Sequence, residues 1–306
     1  MRIRLDLAYD GSDFFGWAKQ PGLRSVQEEL EIALAKVIPG AWGSPVPTVV
    51  AGRTDTGVHA AHQVVHFDVD DAVSSELLAP VPHLRNASPP AKRPIADASK
   101  HAPRESLAYA TPAILHRLRS VLPEDIAVYR ATLVHPEFSA RFWARRRTYK
   151  YRLCDDLTLY DPLRRKDVHF VKRPLNVKMM NKAIKGFTGL HDFATFVKPR
   201  QGATSTRDLH YFKFGRVRRG VDKGLVVATL KADAFAYNMV RSLVGAAVLV
   251  GQGVREVGWM QECLDARTRQ GATGPIAAKG LTLEHVDYIS SPSRAQQRAK
   301  DIRVRR

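Results

Sequence analysis

Ile3, Leu5, Leu7 and Tyr9 alternate with charged or small residues, the two-residue period of a strand with one buried face. A turn-rich segment, DGSDFFGW, follows. Ser25 then stands three residues before Glu28, the spacing of a capping box. Val26, Leu30, Ala33, Leu34 and Val37 continue at helical intervals to a stop at Pro39. The runs PTVVA and QVVHFDV read as strands, so the intervening AGRTDTGVHA, residues 51–60, is expected to be a loop. Thr111 and Pro112 mark the cap and first position of a helix whose inner face is Ile114 or Leu115, Leu118 and Leu122. DIAVYRATLV and RTYKYRLC are strand-like on either side of HPEFSARFWARR. A helix from about Asn176 to Gly186, strands around LHYFKF and LVVATLKA, and a long helix from about Tyr237 to Val250 complete the pattern. Such a mixture predicts an α+β fold, a sheet covered by helices.

Two segments break the pattern. Residues 80–103 hold six of the 18 prolines and few large apolar side chains, which suits neither ladder nor helix, so a flexible insertion is expected at about 73–110. Residues 291–306 carry six basic side chains (Arg294, Arg298, Lys300, Arg303, Arg305 and Arg306) against Asp301, and a disordered basic tail is expected there. The chain then divides into an N-terminal half, 1–135, a C-terminal half, 136–290, and the tail.

Charge changes the picture more than composition does. With 48 Lys and Arg against 30 Asp and Glu, the chain carries +18, and most of that lies outside the tail. A polyanion is the first partner to consider, with a merely solubilising surface as the alternative. Cys154 and Cys263 have no second thiol nearby in sequence, which supports neither a disulfide framework nor a thiolate zinc site. The charged N-terminus MRIRLDLAYD reads as a strand and not as a secretory leader, and the apolar run Leu243–Val250 is too short to span a bilayer. A soluble protein in a reducing compartment is expected.

Three places carry candidate chemistry. Asp55 lies between Thr54 and Thr56, flanked by Gly52 and Gly57, which let the backbone turn sharply and a ligand come close. A turn capped by Asp55 is the alternative. The loop holds no second carboxylate for ordinary glycoside hydrolysis, and His59, His62 and His66 complete no known metal-ligand spacing. In ARRRTYKYR, Tyr149 and Tyr151 share one face of a strand with Arg147 beside them. That is either a platform for unpaired bases or a pair of core tyrosines under a basic edge. Arg241 is the lone charge between Asp233 and Arg255, and in so apolar a helix it either meets an anion or snorkels to the surface.

Taken in order, YDGSDFFGW, SVQEELEIAL, AGRTDTGVHA, FSARF followed by RRTYKYR, GLHDF, FAYNMVRSLVG and GLTLEHVDY resemble the TruA family of tRNA pseudouridine synthases over residues 9–288, nearly the whole chain. The resemblance implies the pseudouridine synthase fold, a mixed, largely antiparallel sheet flanked by helices with a catalytic cleft between two halves. It implies an isomerase that converts uridine to pseudouridine in the anticodon stem-loop of tRNA, at positions 38–40, without cofactor or metal. The family acts in the cytoplasm as a homodimer whose subunits share one RNA. Carried over by motif, Asp55 is the nucleophile, Arg241 its basic partner and Tyr149 the residue stacked on the target base. Arg53 helps displace the nucleotide, Leu281 lines the pocket, and Tyr151 is structural. The proline-rich segment, the basic tail and the loosely matching TGPIAAKGL depart from the family pattern. The competing expectation is a non-catalytic RNA-binding or RNA-chaperone protein on the same fold, whose signature would be a substituted Asp55 or Arg241.

Overall fold

The computed structural model describes residues 1–79, 112–269 and 274–304. Alternation in the first strand, β1 (Arg2–Tyr9), buries Ile3, Leu5, Leu7 and Tyr9 as expected, and β1 sits between β3 (His59–Asp68) and β4 (Ile126–Val134), antiparallel to both. Between them in sequence, α1 (Val26–Val37) starts where Ser25 accepts a hydrogen bond from the Glu28 N–H. It buries Val26, Leu30, Ala33 and Leu34. The helix α3 (Ala113–Val121) packs beside α1 through Ile114 and Leu118, with Pro112 standing just before its first turn. The two-residue β2 (Val49–Val50) pairs with β3.

The second half contributes β5 (Ala144–Cys154), β6 (His169–Phe170), β7 (Gly189–Asp192), β8 (Thr206–Arg216) and β9 (Val226–Ala232). Over them lie α4 (Val177–Ala183), α5 (Met239–Gly251) and α6 (Trp259–Ala266). Sequence reading extends α4 to Gly186, but the helix ends at Ile184, where the backbone has left the helical region. For α5 the expected start at Tyr237 moves to Met239, because Asn238 takes a left-handed conformation with φ 64°.

The halves join at β10 (Leu281–Tyr288), which runs parallel to β3 on one side and antiparallel to β5 on the other. The strand order is β4-β1-β3-β10-β5-β9-β8-β7, with β2 and β6 off this path. A buried polar chain also runs through the sheet: Arg4 bonds Asp6, Asp6 bonds His62 Nε2 at 2.8 Å, and His62 Nδ1 meets His285 Nδ1 at 2.6 Å. His59 bonds the Lys166 and Lys279 carbonyls, and His66 Nδ1 accepts from the Ala140 N–H.

Two expectations change. The expected insertion begins inside a helix, α2 (Asp71–Leu78), because Leu77 reaches the core; residues 80–111 lie outside the described residues. The tail is helical where disorder was expected, forming α7 (Pro292–Val304). Ala295 and Ala299, four residues apart, give α7 an apolar stripe that seats on the core, and Arg298 donates to the Arg145 carbonyl at 3.1 Å. A reading that counted only charge passed over those alanines.

Candidate active site

The loop from Ala51 to Val58 leaves β2 and enters β3, as its sequence predicted, and it is pinned at almost every residue. The Gln63 side chain, fully buried in β3, donates to the Gly52 carbonyl at 2.7 Å. Tyr9 shares a 2.7 Å hydrogen bond with the Thr54 hydroxyl, and the Trp17 N–H donates to the Thr54 carbonyl at 3.0 Å. Gly57 adopts φ 74°, a conformation side chains disfavour, and its N–H reaches the Phe14 carbonyl. Beside it the chain packs too closely for any side chain at Gly11, where a Cβ would lie 2.0 Å from the Val58 carbonyl oxygen. Gly11→Ala is therefore expected to displace the loop and destabilise the fold by about 3 kcal/mol. Urea unfolding tests this, and an unchanged midpoint would contradict it.

This scaffold places the half-buried Asp55 carboxylate near the start of α5, where the Asn238 backbone N–H favours its charged form. A helix N-terminus favours negative charge, and Asn238, in the left-handed region, opens that helix. The Asp55 side chain is thus engaged by another element and does not act as a local turn cap. Arg241 lies one turn into α5. Its Nε donates to the Ile276 carbonyl at 2.7 Å and an Nη to the Asn238 Oδ1 at 3.4 Å, and its charge acts on Asp55 from there. Burial pushes the Asp55 carboxyl up to about 6, partly offset by the Arg241 charge and the Asn238 N–H. The group is therefore ionised at neutral pH but close enough to its titration to feel its surroundings.

All five site residues anticipated from sequence line one cleft of about 1070 Å³. Tyr149, on β5, is 7 % exposed and meets Phe235 edge to face at 5.1 Å; burial holds its phenol in the protonated form. Leu281, 4 % exposed at the start of β10, lines the same cleft. Arg53 is exposed on the loop, and Arg141, Lys198, Arg200 and Arg207 add positive charge to the walls. Tyr151 points elsewhere, its hydroxyl donating to the Ala277 carbonyl at 2.6 Å. Sequence reasoning missed Asn238, whose role depends on a left-handed backbone, and the burial of Arg147. The latter could have been found, since the alternation that puts Tyr149 and Tyr151 on one face puts Arg147 there too.

A family profile described as tRNA pseudouridine synthase matches residues 183–289. Over nearly its full length the chain is similar to proteins named tRNA pseudouridine synthase A. It is 40% identical to that of Bifidobacterium longum strain DJO10A (99% of this chain, 98% of the relative). It is 43% identical to that of Leifsonia xyli (94% and 91%) and 40% identical to that of Corynebacterium glutamicum (99% and 94%).

Proposed function

The chain belongs to the tRNA pseudouridine synthase A family, isomerases that convert uridine to pseudouridine in tRNA, and from that premise we propose that Asp55 is its nucleophile. The observation that carries this reading is the Asp55 carboxylate, held at the N-terminus of α5 within the electrostatic reach of Arg241 and in the same cleft as Tyr149.

The ionised carboxylate attacks the flipped nucleoside, the bond between uracil N1 and the ribose breaks, and the base turns. A new bond from C5 to the ribose carbon then forms as the bond to Asp55 breaks, C5 loses its hydrogen as a proton while N1 takes one up, and Asp55 is released unchanged. No water is consumed, so one carboxylate suffices. Arg241 and the Asn238 N–H keep that carboxylate ionised, against the pull of burial. The Tyr149 ring stacks on the uracil, with Phe235 bracing it from the side and Leu281 closing the pocket wall. The exposed Arg53 fills the place from which the nucleotide is drawn, a displacement that costs a few kcal/mol.

The uridines acted on lie in the anticodon stem-loop, selected by RNA shape, and the enzyme works in the cytoplasm as a homodimer sharing one tRNA. Tritium release from tRNA labelled at uracil C5 tests the chemistry. Wild-type protein should release label from anticodon-stem uridines; none from any tRNA that it binds would favour the non-catalytic RNA-binding reading instead.

Phosphate contacts supply most of the affinity in this reading, so binding falls steeply with salt. Arg294 and Lys300 are exposed on α7, beside exposed Arg145 on β5. Deleting residues 291–306 is expected to weaken tRNA binding and lower the salt slope by roughly 0.9 for every phosphate no longer neutralised. An unchanged slope in a filter-binding titration would show that α7 does not touch RNA.

A further inference from the structure

Arg147 is 7 % exposed, yet among the described residues none of its hydrogen bonds goes to a carboxylate. One Nη donates to the Ala51 carbonyl at 2.6 Å and to the Arg141 carbonyl at 2.8 Å. The other donates to the carbonyls of Asp233 and Ala144. A buried guanidinium is normally offset by a paired anion, because taking its charge out of water costs several kcal/mol. Here the fork is spread over four carbonyls on three chain segments, and the position of those segments shows what it does.

Ala51 opens the loop that carries Asp55. Asp233 opens the turn that runs from the end of β9 to Asn238 and Arg241. Gly52 lies beside the fork, where a Cβ would make ordinary contact with Nε at 3.8 Å. These two segments come from opposite halves of the chain, and they carry the carboxylate on one side and the N–H and cation that face it on the other. The Asp233 carboxylate accepts from the N–H groups of Asp208 and Ala234, so the turn is ordered at the point where Arg147 grips it.

We infer that Arg147 is a positioning residue: its guanidinium ties the catalytic loop to the turn before α5 and so sets Asp55 in register with Asn238 and Arg241. The inference rests on the reading of Asp55 as nucleophile. A planar fork with donors fixed in direction can hold both carbonyls at once, whereas an ammonium on a flexible stem fixes neither. A misplacement of about 1 Å in such a pair is enough to lower turnover roughly 100-fold. Tyr149 and Tyr288 from β5 and β10, Asp233 from the turn and Arg298 from α7 also face this guanidinium, so charge near it is shared by several elements.

The test is Arg147→Lys, which keeps the charge and removes the fork. Its melting temperature is expected to fall by a few degrees, because the lysine leaves buried carbonyls unpaired, while tRNA Kd stays near wild type and single-turnover kcat falls roughly 100-fold. The acid limb of its pH profile should move above that of wild type, because Asp55 loses its alignment with the two groups that favour its charge. Wild-type turnover with an unmoved limb overturns the inference, and so does a fall in kcat matched by equal losses of affinity and melting temperature. Should the variant not fold, amide hydrogen exchange on the wild-type protein decides: residues 51–58 and 233–238 should open together, and independent opening overturns the tie. Turnover by Asp55→Asn would instead overturn the assignment of the nucleophile, so the two failures are distinguishable.

Discussion

Asp55→Asn is expected to release no tritium above background from C5-labelled tRNA, a loss of roughly 10⁴-fold or more, as befits removal of a nucleophile. Its affinity for tRNA should change little, because the basic walls of the cleft supply the phosphate contacts and remain in place. Stability gives an independent check. The folded-state pKa of Asp55, about 6, stands above the ordinary aspartate value of 3.8, so its protonated form stabilises the fold below that lower value. That contribution is lost as pH rises through about 6. The neutral amide of Asp55→Asn escapes the loss, and the variant should melt higher than wild type at pH 8 but not at pH 4. Equal melting temperatures at pH 8 would mean that burial does not penalise this carboxylate; turnover near wild type would remove Asp55 from the chemistry.

Arg241→Gln is the second large effect. The Arg241 charge lowers the Asp55 pKa against the upward push of burial, so its removal should shift the acid limb of the single-turnover rate above about 6. At pH 7 the variant then holds less of the ionised nucleophile and also lacks a preorganised cation, together a loss of roughly 100-fold in kcat. Raising the pH should recover part of it. Arg241→Lys keeps the charge but not the guanidinium that bonds both the Ile276 carbonyl and Asn238, so it should fall between the two. If the limb of Arg241→Gln coincides with that of wild type, the arginine does not set the state of the nucleophile.

The parts of this arrangement that sequence revealed are those written in local periodicity. Alternation marked β1, the Ser25 cap marked α1, and two apolar runs bracketed the loop of Asp55. The GRTD, RRTYKYR and FAYNMVRSLVG motifs named residues that line one cleft although they lie up to 188 positions apart, from Arg53 to Arg241. Local pattern could not show that β10 enters the middle of the sheet, since its parallel pairing with β3 joins residues more than 220 positions apart. Nor could it show that Asn238 takes a left-handed backbone, a choice forced by what α5 must meet. Arg147 was legible by alternation, yet its place in a run of three arginines made it read as a solvated edge.

The central position of β10 also bears on how the protein is made. Synthesis proceeds from the N-terminus, and β3 and β5 leave the ribosome long before the strand that separates them. Until residues 281–288 emerge, both present unpaired edges and the cleft has no Leu281 wall, a stage open to faulty association. Folding must therefore finish after most of the chain is translated, and its many long-range pairings make that step slow. A product of interrupted translation therefore carries the basic residues of the cleft but lacks the strand that joins its two sides.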